Sequence, residues 1–184
     1  MRIVGGEFGG RPLATPRSRA IRPSADRLRQ TLFDILAHGF GDVLAGGRVL
    51  DLFAGTGALG LEALSRGASY ALFIEDAVEA RGLIRQNIEA LGLTGRTRIF
   101  RRDATRLGTA GTIVPFTLVF ADPPYRQGLG EAALASARAG GWLAPGALAV
   151  LEEDEKAEIA PIVGLDRIDR RVTGDSQMVF LRAG

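Results

Sequence analysis

The chain has 184 residues, of which 46% are hydrophobic, 7% aromatic and 24% charged, with a formal net charge of +2. That length suits one domain with an ordinary core, and so small a net charge does not by itself announce a nucleic-acid partner. Cysteine is absent and His38 is the single histidine, which excludes disulfides, thiolate metal sites, cysteine nucleophiles and histidine-rich metal clusters. No stretch of about 18 uncharged apolar residues occurs and the start lacks a signal-peptide core, so no membrane contact and a cytoplasmic location are expected.

The distribution of charge says more than its sum. The basic residues are 22 arginines and Lys156, a skew in the manner of GC-rich codon usage. Residues 1–30 hold seven arginines (2, 11, 17, 19, 22, 27 and 29) against Glu7 and Asp26, a net of +5. Residues 152–158 hold Glu152, Glu153, Asp154, Glu155 and Glu158 against Lys156, a net of −4. A basic end and an acidic patch on one small domain suggest an oriented polyanion-binding face.

In chain order, residues 1–22 are expected as a basic N-terminal unit. Arg2 to Val4 can pair with Arg11 to Leu13 as a small hairpin, followed by an extended arm; the same composition also suits a mobile tail. Arg11, Arg17, Arg19, Arg22 and Arg27 lie among turn residues or at a helix start, a pattern suited to phosphate contacts. The second unit, 23–184, opens with a helix over 24–37 capped by Ser24, its apolar stripe Ala25, Leu28, Leu32, Ile35 and Leu36. His38 reads as a capping or surface residue.

Residues 48–67 read as strand, glycine loop and helix. Val49, Leu50, Leu52 and Phe53 form the strand, Gly55 and Gly57 allow a tight turn, and Gly60 allows the helix to pack closely on the strand. The N–H groups that open the helix suit a polar or anionic cofactor group, although a lone glycine motif is weak in a chain with 25 glycines. Further strands are expected at 70–75, 97–101, 116–121, 147–151, 165–172 and 177–182, with helices at 77–91 and 130–139. Thr173 to Ser176 marks a turn between the last two strands, hence an antiparallel hairpin. The alternation implies an α/β Rossmann-like fold: a seven-stranded, mostly parallel sheet closed by that hairpin.

Ligands of such sheets bind beyond the carboxyl ends of the strands, where Asp51, Glu75, Asp103 and Asp122 fall. Glu75 stands 18 residues after Gly57, a spacing at which a carboxylate can hold the two hydroxyls of a ribose. Asp103 can accept from an adenine amine while the Ala104 N–H meets a ring nitrogen; for Asp103 a plain loop cap is the alternative. The segment Asp122, Pro123, Pro124 and Tyr125 carries the strongest signal. Two prolines stiffen the turn and remove donors, so the Asp122 carboxylate and the Pro123 carbonyl can bind both hydrogens of an exocyclic amine. Tyr125 adds a face for stacking a base.

These residues together resemble the class I S-adenosylmethionine-dependent methyltransferases with an Asp/Asn-Pro-Pro-aromatic tetrapeptide. More narrowly, they resemble the bacterial 16S ribosomal RNA guanine-N2 methyltransferases of the RsmD type. The resemblance runs through Arg2 to Gly6, Gly10 and Arg11, Arg22 to Phe33, Asp51 to Arg66, Asp122 to Tyr125 and the Gly174 to Ser176 turn. It implies methyl transfer from S-adenosylmethionine to N2 of one guanine in 16S rRNA of the small ribosomal subunit, by a monomer and without a metal. By carry-over, Asp51, Ala54, Gly55 and Gly57 border the methionine end, Glu75 the ribose, and Asp103 with Ala104 the adenine. Asp122, Pro123 and Tyr125 hold the guanine, with Pro124 among the substrate-binding residues. Phenylalanine often fills the last motif position in the family, so Tyr125 brings a hydroxyl that the resemblance does not explain. Three rivals stay open at this level: an adenine-N6 methyltransferase, a nicotinamide-dependent oxidoreductase and a non-catalytic RNA-binding module.

Overall fold

The computed structural model describes residues 1–17 and 23–184. The Ser24 side chain, expected as a cap, and Arg19 and Arg22, expected on RNA, lie outside the described part.

Strand β1 (Arg48–Leu52) shows what builds the sheet: Val49, Leu50 and Leu52 are wholly buried, because a strand covered by helices on both faces needs apolar residues throughout. It is followed by α2 (Ala58–Ser65), β2 (Tyr70–Ile74), α3 (Val78–Leu91), β3 (Thr97–Phe100), β4 (Phe116–Ala121) and α4 (Leu129–Ala139). The chain ends in β5 (Leu143–Asp154), β6 (Leu165–Thr173) and β7 (Ser176–Ala183), and α1 (Pro23–Gly39) precedes the whole series. The seven strands lie in the order β3-β2-β1-β4-β5-β7-β6. The first five in that order run parallel, while β7 is antiparallel to both β5 and β6. The strand order reverses between β1 and β4, and such a switch point opens a crevice at the carboxyl edge of the sheet.

Two apolar layers sandwich the sheet. On one face Phe33 and Leu36 of α1, Leu61 and Leu64 of α2 and Ile84 and Ile88 of α3 pack with Phe73 and Phe120. On the other, Leu134 and Ala137 of α4 pack with Leu107, Trp142 and Leu151. The Thr173 to Ser176 turn forms as expected, with Thr173 paired to Ser176 around Gly174 at φ 61°.

The N-terminal hairpin forms too. Arg2 bridges Pro12, the Ile3 N–H donates to the Arg11 carbonyl at 2.9 Å, and Ile3 and Leu13 are buried in the first apolar layer. Its docking explains the glycine pair. Gly6 has φ 76°, and a Cβ there would lie 2.0 Å from the Ser65 carbonyl oxygen. Only glycine permits that close approach.

The hairpin is held by Glu62 of α2, which is wholly buried. Glu62 accepts from the Val4 and Gly5 N–H groups at 2.8 Å each, from Arg66 at 2.8 Å and from Arg29 of α1 at 3.4 Å. Arg29 also donates to Asp26 at 2.9 Å and to the Arg2 carbonyl. It is only 5% exposed, so one of the arginines counted toward the basic end serves the interior instead.

Strand β5 corrects two expectations. It begins at Leu143 rather than 147, with Pro145 and Gly146 carried inside it at an irregularity between the Phe116 and Leu118 pairings. It also runs on into the acidic stretch, since Glu152, Glu153 and Asp154 pair with Met178, Gln177 and Ser176 of β7. Glu153 is only 2% exposed, so this part of the stretch is not the solvated patch its charge suggested.

Candidate active site at the carboxyl edge of the sheet

Leu52 at the end of β1 pairs with Ile74 of β2 on one side and Ala121 of β4 on the other. Glu75 and Asp122 each follow directly on those partners, so the two acids flank the loop that leaves β1. Asp51 sits one residue before Leu52, and Asp103 lies three residues beyond Phe100, which pairs with Ile74. The four acids expected at strand ends thus share one rim.

The loop itself is sharply bent. Phe53 has φ 57°, a left-handed conformation rare for an aromatic residue, and Gly55 and Gly57 follow at 59° and 80°. The Ala54 N–H donates to the Ile74 carbonyl at 3.1 Å, and the Gly57 N–H to the Ala54 carbonyl at 2.7 Å. Gly60 packs as expected: a Cβ there would lie 2.5 Å from Phe73 Cε1 and 3.1 Å from Asp51 Oδ2. A Cβ on Gly55, by contrast, would meet nothing nearer than the Phe53 carbonyl at 4.0 Å, so the loop leaves an open cradle there.

Asp51 is 1% exposed and accepts the Gly60 N–H at 2.9 Å. Burial pushes its carboxyl up to about 8; the Gly60 hydrogen bond opposes the rise and the Glu75 charge adds to it. Glu75 spans the loop, its Oε2 accepting the Gly55 N–H at 2.8 Å and its Oε1 the Ala77 N–H at 2.9 Å. Asp103 Oδ1 caps its own loop, accepting from the Thr105 N–H at 2.8 Å and the Thr105 hydroxyl at 2.7 Å. That oxygen therefore does the capping the sequence allowed as the alternative. The Thr105 bonds hold the Asp103 carboxyl below its ordinary range. Ala104 beside it is buried.

Across the rim stands the tetrapeptide. Asp122, directly after β4, is exposed to solvent. Desolvation there, then the charges of Glu152, Asp51 and Glu153, push its carboxyl well above the ordinary range. Pro123 is buried against the start of α4, where a Cβ on Gly130 would come within 3.2 Å of Pro123 Cγ. Pro124 is exposed. The Tyr125 hydroxyl donates to Glu152 Oε1 at 2.5 Å and lies 3.1 Å from the Ser176 hydroxyl. Burial, then the Glu152 charge, raises the Tyr125 hydroxyl above its ordinary value, and burial likewise raises Glu152. The next residue, Arg126, is left-handed at φ 60°, and its N–H is pinned by both Glu153 oxygens at 2.9 and 3.0 Å. A cleft of about 420 Å³ lined by Arg126, Glu131, Glu153 and Lys156 flanks this loop.

The basic residues divide. Arg17 and Arg27 are exposed. Arg11 spends one arm on structure, donating to the Ala90 carbonyl at the end of α3 at 2.7 Å. His38 behaves as a cap, with Nδ1 2.8 Å from the Asp34 carbonyl. The open end of the hairpin reaches the glycine loop. Asn87 of α3, 2% exposed, accepts the Ala14 N–H at 2.6 Å and donates to the Thr56 carbonyl at 2.9 Å, and Met1 Sδ is 3.5 Å from the Thr56 hydroxyl. Glu62, Asn87, Glu152, Glu153 and Ser176 were all missed as individual contributors. Only Ser176, in a recognised turn, carried a local signal.

Among the described residues no helix is long and apolar enough to cross a membrane. The family described as Conserved hypothetical protein 95 matches residues 1–182. The chain is 43% identical over 156 residues to Ribosomal RNA small subunit methyltransferase D of Escherichia coli strain K12, covering 84% of this chain and 75% of that protein. It superposes on the solved structure of Escherichia coli yhhF with a TM-score of 0.83 at 34% identity, over 100% of this chain and 97% of the other. The 16S rRNA N2 G1207 methyltransferase RsmC of Thermus thermophilus, solved with AdoMet and guanosine, shares the fold at a TM-score of 0.71 and 20% identity, over 100% of this chain and 49% of its own.

Proposed function

The chain belongs to the Conserved hypothetical protein 95 family, that of the RsmD-type ribosomal RNA methyltransferases, and on that premise we propose that it methylates N2 of a guanine in 16S rRNA from S-adenosylmethionine. The substrate is an assembled or partly assembled small subunit, and the enzyme works as a monomer in the cytoplasm. The observation that carries the reading is the tetrapeptide on the β4 end, facing a glycine loop and ribose-type acid on β1 and β2.

The rim fits S-adenosylmethionine by its chemistry. The open cradle at Gly55 has room for the methionine part beside Ala54 and Gly57. Glu75 offers a carboxylate to the ribose hydroxyls, and Asp103 keeps Oδ2 for the adenine amine beside the Ala104 N–H. A rim of carboxyl groups also suits a cation, and the cofactor, when bound, supplies a methyl group on a positively charged sulfur.

The chain's own task is positioning. Asp122 and the Pro123 carbonyl accept the two N2 hydrogens, which fixes the amine and turns its lone pair toward the methyl. Tyr125 packs on the base. Asp122, with its carboxyl held well above the ordinary range, can take the proton the amine sheds. Arg11, Arg17 and Arg27, with Arg19 and Arg22, supply cations for the RNA backbone, and Asn87 ties this arm to the loop that holds the cofactor.

The test is transfer of labelled methyl from S-adenosylmethionine to small subunits from cells that lack the gene, with the modified nucleoside identified by mass spectrometry. N2-methylguanosine in 16S rRNA is expected. Label found only in adenine, or only in duplex DNA, overturns the reading.

A further inference from the structure

We propose that Glu152 selects guanine at this site by accepting the base's N1–H, beside the N2 amine held by Asp122 and Pro123. The inference rests on the guanine-N2 reading above and deepens it.

Strands β4 and β5 are parallel neighbours with Ala121 opposite Leu151. The next residues, Asp122 just past the end of β4 and Glu152 still within β5, therefore stand side by side. Among the described residues no salt bridge reaches either carboxyl group. Two neighbouring acids without a cation, both reachable by solvent, keep acceptor oxygens open to the donors a ligand brings. Guanine presents N1–H and the N2 amine as a row of donors along one edge. Adenine presents a donor amine next to N1 as an acceptor, which would face a carboxylate unpaired.

The Tyr125 hydroxyl makes Glu152 a fixed reader. It holds Oε1 at 2.5 Å, itself backed by the Ser176 hydroxyl at 3.1 Å, and leaves Oε2 for the base. A carboxylate anchored through one oxygen keeps its second oxygen in place, as a specificity contact requires. The Tyr125 hydroxyl thus gains a purpose as the tether.

The decisive comparison uses small-subunit RNA with either guanine or 2-aminopurine at the mapped target nucleotide. 2-Aminopurine keeps the N2 amine and changes N1 from donor to acceptor. The parent enzyme should favour guanine in kcat/KM by about 100-fold or more, because a buried acceptor would be left facing another acceptor. In Glu152→Gln the amide can donate to N1, so guanine transfer should fall about 10- to 100-fold while the preference narrows or reverses. Affinity for S-adenosylhomocysteine should be unchanged and serves as the check on folding. If Glu152→Gln fails that check, Glu152→Asp, which keeps the charge and shortens its reach, should still narrow the preference. An unchanged preference in a folded variant, or guanine transfer at the parent rate, overturns the role of Glu152. Absence of transfer to guanine by the parent enzyme would instead overturn the underlying function.

Discussion

Asp51, inside β1, accepts the Gly60 N–H at 2.9 Å, so a strand residue caps the third residue of the helix that follows it. Gly57 at the N-cap has no side chain to do so. The arrangement requires a buried carboxyl group, and burial pushes that group up to about 8. In an unfolded chain an aspartate titrates near ~4, so between these values the folded state holds a proton that the unfolded state has lost. Its contribution to stability is complete below ~4 and drains as pH rises toward the folded value, by up to ~1.4 kcal/mol per pH unit. Asp51→Asn has no proton to lose. Measured by urea unfolding, it should gain stability relative to the parent as pH rises from about 5 to about 8, with the difference levelling off above that. A difference that stays constant across the range would contradict the buried, protonated carboxyl.

Two glycines in neighbouring helices should respond oppositely to alanine. In Gly60→Ala the new methyl would lie 2.5 Å from Phe73 Cε1, and Phe73 is a wholly buried ring that cannot swing away. Overpacking of this kind costs about 1–3 kcal/mol, and displacement of α2 should also weaken S-adenosylhomocysteine binding in calorimetry. Gly82 lies on the exposed face of α3, where a Cβ would meet nothing within 4 Å. Gly82→Ala should stabilise by about 0.4–1 kcal/mol in thermal or urea melts and leave binding unchanged.

Glu62 joins three elements that are distant in sequence. Removing its carboxylate in Glu62→Ala would leave the Arg29 guanidinium, only 5% exposed, without its buried partner. Breaking one side of such a pair costs about 3–5 kcal/mol. The Val4 and Gly5 N–H groups would lose their acceptor as well. The hairpin should then become the first site of limited proteolysis, while in the parent protein it should resist. Equal resistance in both would show that Ile3 and Leu13 suffice to hold it.

What could be read in advance follows the range of the interactions. Strand β1 and the glycine loop were legible because an apolar run and a φ-permissive turn are local properties, and Gly60 needed its neighbour Phe73 only to confirm a packing role already implied. The acids on the rim were legible because strand ends can be located from the same runs. Arg29 looked like its exposed neighbours, because nothing near it in sequence reveals that Glu62, 33 residues away, awaits it. Glu153 was read as surface charge because its burial depends on β7 pairing with β5 and on the Arg126 N–H. The start of β5 was expected at 147 rather than 143 because the register shift that carries Pro145 and Gly146 lies in the pairing with β4, not in the local sequence.

Asp122 offers the sharpest test of how the tetrapeptide works. If its carboxylate acts chiefly as a hydrogen-bond acceptor, asparagine keeps the needed oxygen and alanine does not. Asp122→Ala should therefore lower kcat/KM on small subunits by about 10²–10³-fold, the loss seen when a preorganised polar contact at a reacting centre is removed. Asp122→Asn should lose about tenfold. The pH dependence separates them further. Desolvation and the charges of Glu152, Asp51 and Glu153 hold the Asp122 carboxyl well above the ordinary range, so at low pH the parent enzyme carries a proton there. Transfer by the parent should rise as pH increases and that proton leaves, whereas Asp122→Asn should show a flatter profile because the amide does not titrate. Calorimetry with S-adenosylhomocysteine should give similar affinity for all three proteins at neutral pH. A rise in rate with pH that persists unchanged in Asp122→Asn would assign the titration to another group.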